Sequence, residues 1–483
     1  MLQRIRKWAL WAMGILMALG EGCSQHYPVN ALLKRYDPRS GYRIMAGERI
    51  ADSESVLLFL TFSGGGTRAA AMAYGVLEEL AQTEIEWKGV RRPLLDQVAM
   101  ISSVSGGSFT AAYYGLFGRR VFQDFESRFL KGNIQKDLYR QTLDLGNWPR
   151  LWSSHFGRSD LAAEYYHRNI FEGATFGDLM LRHGPWILIN ATDITTGGIF
   201  SFTQEYFDLI CSDLSSFSVG RAVAASSAVP LLLSPITLYN FAGSCDSPDP
   251  PWMEGALQSS EGSKQKSHLA LHFRSYRDAE KKPFIHLMDG GLSDNLGLRA
   301  ILDQIIVRGG IGPFLESLGA EKVQRIAFVV VNAEKEPEAD PSFQEKNLSS
   351  PSIMRAVARI PIVRYNLETI DRLRASFREW EKEIRSHRRA RFPEGQGESS
   401  SADGPEPFPE IRFDLVEVDF NALRDDRERQ FFHKLPTSFS LNPQWVDRVK
   451  EVGRRILRES PAYQRLLRDL RPGVSTIRDH TGG

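Results

Sequence analysis

The chain has 483 residues, 42% of them hydrophobic, which is enough to bury a sizeable core. Its 60 lysine and arginine residues nearly balance 59 aspartate and glutamate residues, so the formal net charge is +1. A charge this small creates no overall field that attracts nucleic acid, and the composition favours a globular protein that does not bind nucleic acid.

The N-terminus has the pattern of a targeting segment. Three basic residues among the first seven precede the apolar run Trp8–Gly20, which is short for a membrane span and ends in small residues. The next stretch, "LGEGC", is similar to the lipid-attachment site of bacterial lipoproteins. We expect residues 1–22 to be a signal peptide that ends at a lipoprotein-type site. We also expect the protein to be exported to the cell envelope. Cys23 is the expected lipid anchor, with ordinary signal cleavage or an uncleaved anchor as the alternatives.

The chain contains only three cysteines, Cys23, Cys211 and Cys245. In an oxidising compartment, lipidation of the first cysteine would leave the other two as a single pair. The sequence therefore predicts a disulfide between Cys211 and Cys245, with two buried free thiols as the alternative.

Strand-like and helix-like segments alternate after a connector formed by residues 23–54. The first unit is the apolar run Ser53–Ser63, three glycines and the helix-like segment Ala69–Gln82. The second unit is the short strand Asp96–Ser105, two glycines and another helix. Further strands are predicted at Pro185–Asp193, Pro283–Asp289 and Arg325–Asn332. This alternation predicts an α/β fold with a mostly parallel central sheet.

Two insertions interrupt the main domain, which we place at residues 55–335. Residues 119–178 are predicted to be helical and are rich in aromatic side chains. Residues 241–282 are rich in serine, proline and glycine and are predicted to form a long surface loop. Insertions of this size often serve as lids or as substrate-binding elements.

The composition changes beyond the main domain, and we expect residues 336–483 to form a C-terminal accessory region with an α+β structure. A charged helical segment leads to a low-complexity stretch, which predicts a flexible linker at residues 393–409. A strand and a last helix near Pro443–Leu470 are predicted to follow the linker.

The triple glycine Gly64, Gly65 and Gly66 lies between the first strand and the first helix. A Walker-type phosphate loop would end in Gly-Lys-Ser/Thr, which this segment lacks. The segment does fit the dinucleotide-binding pattern G-x-G-x-x-A, but the next strand ends in a serine instead of the acidic residue that would hold a ribose. The third interpretation is a loop whose backbone N–H groups stabilise a developing oxyanion.

A serine at the end of the second strand is the strongest local signal for chemistry. In a G-x-S-x-G turn, small residues on both sides let the strand and the helix pass closely while the nucleophile is exposed. The stretch Ser103-Val104-Ser105-Gly106-Gly107 has this arrangement, with serine at the first small position. Ser105 is therefore the candidate nucleophile, because Ser102, Ser103 and Ser108 do not have the same small residues on both sides at the turn.

A serine nucleophile needs a base, and the chain offers two candidates. Asp289 ends a strand-like run and is followed by two glycines. Because the carboxyl ends of parallel strands meet in one crevice, we expect Asp289 to lie near Ser105 and the triple glycine. The alternative is the order Ser105, Asp193, His286, which matches the Ser-Asp-His order of ordinary α/β hydrolases. His286 lies inside the strand, which makes that triad the second choice.

Four stretches resemble the patatin-like phospholipase family between about Val56 and Asn332: "SGGGTRAAAMAYGVLEEL", "SSVSGGSFTAAYYG", "INATDITTGGIFSF" with "GRAVAASSAVPLLLSPITL", and "LMDGGLSDNLG". The resemblance implies a three-layer fold in which helices flank a mostly parallel sheet. It implies a Ser105–Asp289 dyad without histidine and an oxyanion hole at Gly64, Gly65 and Gly66. It also implies that Arg68 contacts the phosphate of a lipid.

The activity implied is hydrolysis of lipid acyl esters, of the phospholipase A or lysophospholipase type. The expected partners are a lipid or phospholipid substrate and a membrane surface. No residue pattern predicts a metal site or a cofactor. A catalytically inert lipid-binding or interaction module on the same scaffold is the alternative from another class, because a fold does not guarantee its chemistry.

Overall fold

The structure, a computed structural model, describes residues 29–44, 56–87, 89–230, 232–258, 264–335, 350–391 and 411–470. The expected signal peptide at residues 1–22, Cys23 and the expected linker at 393–409 lie outside these residues.

Twelve strands occur in the described part of the chain. They are β1 (Ala31–Leu32), β2 (Val56–Phe62), β3 (Glu84–Trp87), β4 (Val90–Pro93), β5 (Val98–Val104), β6 (Trp186–Asp193), β7 (Ile199–Ser201), β8 (Ser212–Asp213), β9 (Ile236–Tyr239), β10 (Phe284–Asp289), β11 (Arg325–Asn332) and β12 (Arg412–Asp419).

The same residues contain eighteen α-helices. They are α1 (Gly66–Gln82), α2 (Gly106–Phe117), α3 (Val121–Phe125), α4 (Ile134–Leu143), α5 (Trp148–Leu151), α6 (Arg158–Asn169), α7 (Phe176–Met180), α8 (Gln204–Leu209), α9 (Val219–Ser226), α10 (Pro251–Gln258), α11 (Lys264–Tyr276), α12 (Gly291–Asp294), α13 (Leu298–Val307), α14 (Ile311–Ser317), α15 (Ser350–Arg391), α16 (Asp426–His433), α17 (Pro443–Glu459) and α18 (Pro461–Asp469).

A mixed sheet of eight strands forms the centre of the fold. Its order is β12-β11-β2-β5-β6-β10-β9, and β7 also pairs with β6. The strands from β12 to β6 are parallel, whereas β7, β9 and β10 are antiparallel to their neighbours. Every residue of β2 and β5 is buried, as expected for central strands covered by helices on both faces. The predicted α/β fold with a mostly parallel sheet is confirmed.

The C-terminal region is joined to the main domain through the sheet and through a helix contact. Strand β12 pairs in parallel with β11 along its whole length. Helix α17 crosses α1 so closely that a Cβ atom added to Gly75 would lie 2.1 Å from the carbonyl oxygen of Lys450. At the same crossing, a Cβ atom on Gly453 would lie 2.9 Å from the carbonyl oxygen of Met72. Helix α1, which begins at the last of the three glycines, is therefore held in place by the C-terminal region.

Two predicted elements differ from the structure. The segment 241–282, predicted to be a long surface loop, contains helices α10 and α11. Helix α11 buries Leu269, Phe273 and Tyr276 on one face, a helical spacing that the polar residues around it obscured. The last helix, predicted near Pro443–Leu470, is two helices that meet at Ser460, because Pro461 begins a new helix at a position where proline is favoured.

The cysteine and aromatic predictions can also be compared with the structure. Cys211 and Cys245 form a disulfide with their Cα atoms 5.6 Å apart, which confirms the predicted pair. In the helical insertion at 119–178, Phe156 and Tyr166 are buried in the core, whereas Trp148 and Trp152 are exposed. None of the described helices combines the length and the apolar character needed to cross a membrane.

Candidate active site

Ser105 lies at a sharp turn between the end of β5 and the start of α2. Its backbone has φ +50° and ψ −119°, a conformation that residues with a side chain rarely adopt. Residues held in such conformations cost free energy and are concentrated at functional sites. The backbone N–H of Ser105 donates a hydrogen bond to the hydroxyl of Ser226 at 2.9 Å. This contact with another helix holds the backbone of the turn in place.

The glycines after Ser105 allow the turn to pack against the triple glycine. A Cβ atom on Gly106 would lie 2.1 Å from the carbonyl oxygen of Gly66, and one on Gly107 would lie 2.6 Å from that of Phe62. Only glycine fits these two positions without moving backbone atoms. At the other small position, the Ser103 hydroxyl donates to the carbonyl of Leu188 at 2.9 Å, so a serine is accommodated there.

The structure brings Ser105 and Asp289 into direct contact. The Ser105 hydroxyl donates a hydrogen bond to Oδ2 of Asp289 at 2.8 Å. Both residues are almost fully enclosed, with 4% of Ser105 and 8% of Asp289 exposed. The other oxygen of the carboxylate, Oδ1, accepts the N–H of Gly291 at 2.8 Å, which orients the carboxylate toward the serine.

The reason for this contact differs from the one the sequence suggested. Asp289 ends β10, which runs antiparallel to β6, so the two residues do not meet as carboxyl ends of parallel strands. The register brings them together, because Asp289 pairs with Ala191 while the preceding residue of β6, Asn190, pairs with Val104. The end of β10 therefore lies level with the Ser105 turn, with only β6 between β10 and β5.

Burial changes the proton affinity of Asp289. Removal of the carboxylate from water raises its pKa to about 6, against the opposing effects of the Gly291 N–H and the Ser105 hydroxyl. A carboxylate with this pKa is a better proton acceptor near neutral pH than an exposed aspartate, which fits the requirement for a general base.

The triple glycine lies beside Ser105. A Cβ atom on Gly64 would be 3.3 Å from the Cβ atom of Ser105. Gly65 and Gly66 have φ values of +140° and +61°, conformations that glycine adopts without steric strain. Gly66 begins α1, and the N–H groups in the first turn of a helix have no intrahelical acceptor.

The three glycines are not equivalent as hydrogen-bond donors. The N–H of Gly64 already donates to the carbonyl of Asn295 at 3.1 Å, so this glycine is not a free oxyanion donor as the resemblance implied. The N–H groups of Gly65 and Gly66 have no hydrogen-bond acceptor among the described residues. These two groups lie at the positive end of the α1 dipole, where negative charge is stabilised.

The implied role of Arg68 as a lipid-phosphate contact is not supported by its position. Only 1% of Arg68 is exposed, and its side chain points into the protein. Its Nε donates to the carbonyl of Ala333 at 2.9 Å and its Nη1 to the carbonyl of Leu435. The guanidinium therefore joins α1 to the C-terminal region and is not presented to a ligand.

The alternative triad is not assembled. His286 hydrogen bonds through Nδ1 with the hydroxyl of Thr237 at 2.9 Å. The Asp193 carboxylate forms an ion pair with Lys282 and accepts a hydrogen bond from Tyr276 at 3.1 Å. In the contacts of the described residues, neither side chain bonds to Ser105, which gives its hydroxyl hydrogen to Asp289.

Sequence reasoning missed Ser226, which lies behind the nucleophile at the end of α9. Its hydroxyl donates to the carbonyl of Asn190 at 2.6 Å and accepts from the N–H of Ser105. Its carbonyl accepts the N–H of Gly290 at 3.1 Å, next to Asp289. Ser226 thus connects the two halves of the candidate dyad. The stretch "AASSAVP" belongs to the segments that resemble the family, but nothing in it indicates which neighbour its serines contact.

The competing serines are occupied elsewhere. The Ser102 hydroxyl accepts from the side-chain amide of Asn190 at 2.9 Å, and that of Ser108 lies 3.0 Å from the Ser226 hydroxyl. Both residues are completely buried. Of the serines near the turn, Ser105 is the one in contact with a carboxylate.

Comparison with known proteins places the chain in a family. The model of the patatin-like phospholipase family matches residues 60–302, half of the chain. The chain therefore belongs to the patatin-like phospholipase family. No curated protein sequence matches it significantly.

Solved structures that match the chain include human GIVD cytosolic phospholipase A2, with 12% identity and a TM-score of 0.40 over 87% of this chain and 62% of that chain. The same human enzyme in complex with methyl gamma-linolenyl fluorophosphonate has 15% identity and a TM-score of 0.37, over 88% of this chain and 60% of that chain. The chain thus spans about three fifths of the length of these proteins.

Proposed function

We propose that the protein is a serine acyl-ester hydrolase that acts on lipids, of the phospholipase A or lysophospholipase type. The observation that carries the proposal is the 2.8 Å hydrogen bond from the Ser105 hydroxyl to the Asp289 carboxylate. Membership of the patatin-like phospholipase family supports an acyl group on a lipid as the substrate.

In the acylation step, Ser105 Oγ attacks the ester carbonyl carbon while Asp289 accepts the hydroxyl proton. The carbonyl oxygen becomes an oxyanion, which accepts hydrogen bonds from the N–H groups of Gly65 and Gly66. The tetrahedral intermediate collapses, the bond to the alcohol breaks, and the departing oxygen takes the proton from Asp289. The products of this step are the free alcohol and an acyl ester on Ser105.

Deacylation repeats these steps with water as the nucleophile. Asp289 accepts a proton from water, whose oxygen attacks the acyl carbonyl carbon. The fatty acid is released when the bond to Ser105 Oγ breaks and the proton returns from Asp289 to the serine. The enclosure of the site supports this scheme, because a carboxylate is a useful base for serine only where water is excluded.

A membrane surface is the proposed location of the substrate. Five exposed apolar side chains lie between residues 139 and 152, and we call them the apolar patch: Tyr139, Leu143, Leu145, Trp148 and Trp152. Trp152 and Leu143 are 74% and 72% exposed. Lys136 and Arg140 line a shallow groove together with two residues of the patch, Tyr139 and Leu143. Tryptophan with nearby basic residues suits the interface of an anionic bilayer. Export to the cell envelope remains our expectation from the N-terminal sequence.

The proposal is tested by hydrolysis of a soluble short-chain ester and of a lysophospholipid. Ser105→Ala and Asp289→Asn are expected to lose nearly all activity on both substrates. His286→Ala and Asp193→Asn serve as comparison variants, since they remove the members of the alternative triad. Activity that survives Asp289→Asn but is lost in His286→Ala would favour the Ser-Asp-His mechanism. A folded wild-type protein that hydrolyses neither substrate would favour an inert binding module.

A further inference from the structure

A short segment of the C-terminal region lies against the glycine loop of the candidate site. We call residues 435–440 the strap; they connect α16 to the residues before α17. The strap lies outside the range matched by the family model, residues 60–302. A Cβ atom on Gly66 would lie 2.3 Å from the carbonyl oxygen of Ser438, so the strap and the loop are in direct backbone contact.

The strap supplies a cap that helix α1 lacks. The residue before α1 is Gly65, which has no side chain to accept the N–H groups of the first turn. The carbonyl of Ser438 accepts the N–H of Thr67 at 2.8 Å instead. The N–H group of the second residue of the helix therefore has its acceptor in a distant part of the chain. The N–H groups of Gly65 and Gly66 stay available for an oxyanion.

Arg68 fastens the strap to the loop from the other side. Its guanidinium donates to the carbonyl of Leu435 and, at 3.3 Å, to the hydroxyl of Thr437. Its Nε donates to the carbonyl of Ala333, just after β11. A buried guanidinium must keep its acceptors, because a buried charge without partners is costly. Arg68 thus keeps these two acceptors only while the strap stays in place.

The outer end of the strap also contacts the nucleophile side of the site. The ring centroids of Phe439 and Phe109 are 5.9 Å apart, and Phe109 belongs to α2, the helix that begins after Ser105. The carbonyl of Phe439 accepts the N–H of Gln135 at 3.3 Å. The strap is therefore anchored to both the glycine loop and the nucleophile helix.

We propose that Arg68 and the strap are positioning elements of the oxyanion hole, which hold the first turn of α1 so that Gly65 and Gly66 face the reacting carbonyl. The inference rests on the proposed function for its catalytic meaning. It assigns Arg68 a role that is independent of any phosphate on the substrate.

The test uses the full chain and two substrates, a phosphate-free short-chain ester and a lysophospholipid. Arg68→Met removes the donors and keeps the apolar stem. Loss of an oxyanion donor commonly lowers kcat by about 10²–10³-fold, so we expect kcat to fall about 10²-fold, equally for both substrates, with KM nearly unchanged. Arg68→Lys, which keeps the charge without the planar fork, is expected to give an intermediate loss.

Arg458→Met is the matched control. Arg458 also joins the C-terminal region to α1, through two hydrogen bonds to Glu79 at the far end of the helix. This variant is expected to keep kcat within about twofold, because it leaves the glycine loop untouched. Pro436→Gly is the second test variant, since it loosens the strap while Arg68 is retained. We expect it to lower kcat on both substrates.

Hydrogen exchange at the Thr67 amide gives a readout that does not depend on activity. Arg68→Met and Pro436→Gly are expected to speed this exchange, whereas Arg458→Met is not. If Arg68→Met instead raised KM for the lysophospholipid alone and left hydrolysis of the short-chain ester unchanged, the proposal would be overturned in favour of a phosphate contact. Unchanged kcat and unchanged exchange in both strap variants would overturn it outright. A wild-type protein inactive on both esters would refute the proposed function, and the exchange data would then decide the positioning role.

Discussion

The hydroxyl of Ser226 accepts a hydrogen bond from the backbone N–H of Ser105 at 2.9 Å. The carbonyl of the same residue accepts the N–H of Gly290 at 3.1 Å, beside Asp289. One residue thereby sets the backbone of the candidate nucleophile and of the candidate base. The strained φ of +50° at Ser105 is maintained by this contact and by the helix that follows.

Replacing Ser226 should therefore reduce catalysis more than replacing its neighbour Ser227 does. Ser226→Ala leaves the buried N–H of Ser105 without an acceptor, at a cost of about 1–3 kcal/mol in the free energy of unfolding. We expect kcat/KM to fall about tenfold or more, as the Ser105 turn relaxes.

Ser227→Ala is the control for this variant. Ser227 is equally buried, but its hydroxyl donates to the carbonyl of Val223, one helical turn back. Chemical denaturation and ester hydrolysis should show stability losses in both variants and a loss of kcat/KM only in Ser226→Ala. Equal losses of kcat/KM would indicate that Ser226 acts only through general stability.

The pH dependence of acylation should report Asp289. The carboxylate must be ionised to accept the Ser105 proton, and burial raises its pKa to about 6. We therefore expect kcat/KM for an uncharged ester to rise with pH and to reach half of its plateau near pH 6. Below that midpoint the protonated fraction increases and activity falls. A midpoint near pH 4, or a midpoint that disappears in His286→Ala, would contradict this assignment.

Gly106 provides a steric test of the contact between the serine turn and the glycine loop. Gly106→Ala would bring its Cβ atom 2.1 Å from the carbonyl oxygen of Gly66, and neither backbone segment can yield without moving the site. Overpacking of this kind costs about 1–3 kcal/mol or more. We expect a lower melting temperature and a large loss of ester hydrolysis.

Gly255→Ala is the control for the glycine test, because a Cβ atom there meets nothing within 4 Å and the residue lies in helix α10. It should leave activity unchanged and raise stability slightly, since alanine favours helix by about 1 kcal/mol over glycine. Normal activity in Gly106→Ala would show that the serine turn and the loop are less closely packed than described.

The apolar patch can be tested separately from the chemistry. In a Ser105→Ala background, the double substitution Leu145→Ala and Trp152→Ala should weaken sedimentation with vesicles that contain anionic phospholipid. Each large apolar side chain that enters the interface contributes about 1.5–3 kcal/mol, so a loss of about tenfold or more is expected. Leu271→Ala, at another exposed leucine, should have little effect. Equal binding by all variants would rule out the patch as the contact.

The parts of the site that the sequence predicted are those carried by local patterns. The strand, glycine turn and helix around Gly64–Gly66, and the turn at Ser105, are encoded by residues adjacent in the chain. The position of the aspartate at the end of β10 is also predicted by the residues around it, the apolar run before it and the two glycines after it. Its geometry was not, because the direction of β10 and its register against β6 depend on strands far away in the sequence.

The remaining parts depend on contacts that no local pattern contains. Ser226 meets Ser105 across 121 residues, and Arg68 meets Leu435 across 367 residues. An arginine two residues after a triple glycine fits an exposed anion contact and a buried clamp equally well. The choice between them depends on the strap, whose sequence has no signal for its docking site. In the same way, the helical face of α11 was hidden by polar residues around it.

The central claim is that Ser105 is a nucleophile activated by Asp289, and labelling by a fluorophosphonate probe tests it most directly. The probe forms a bond from phosphorus to the serine oxygen and releases fluoride. We predict one label per chain on the peptide that contains Ser105, none in Ser105→Ala, and a rate at least about 10²-fold lower in Asp289→Asn. Labelling of a different serine, or an undiminished rate in Asp289→Asn, would contradict the account.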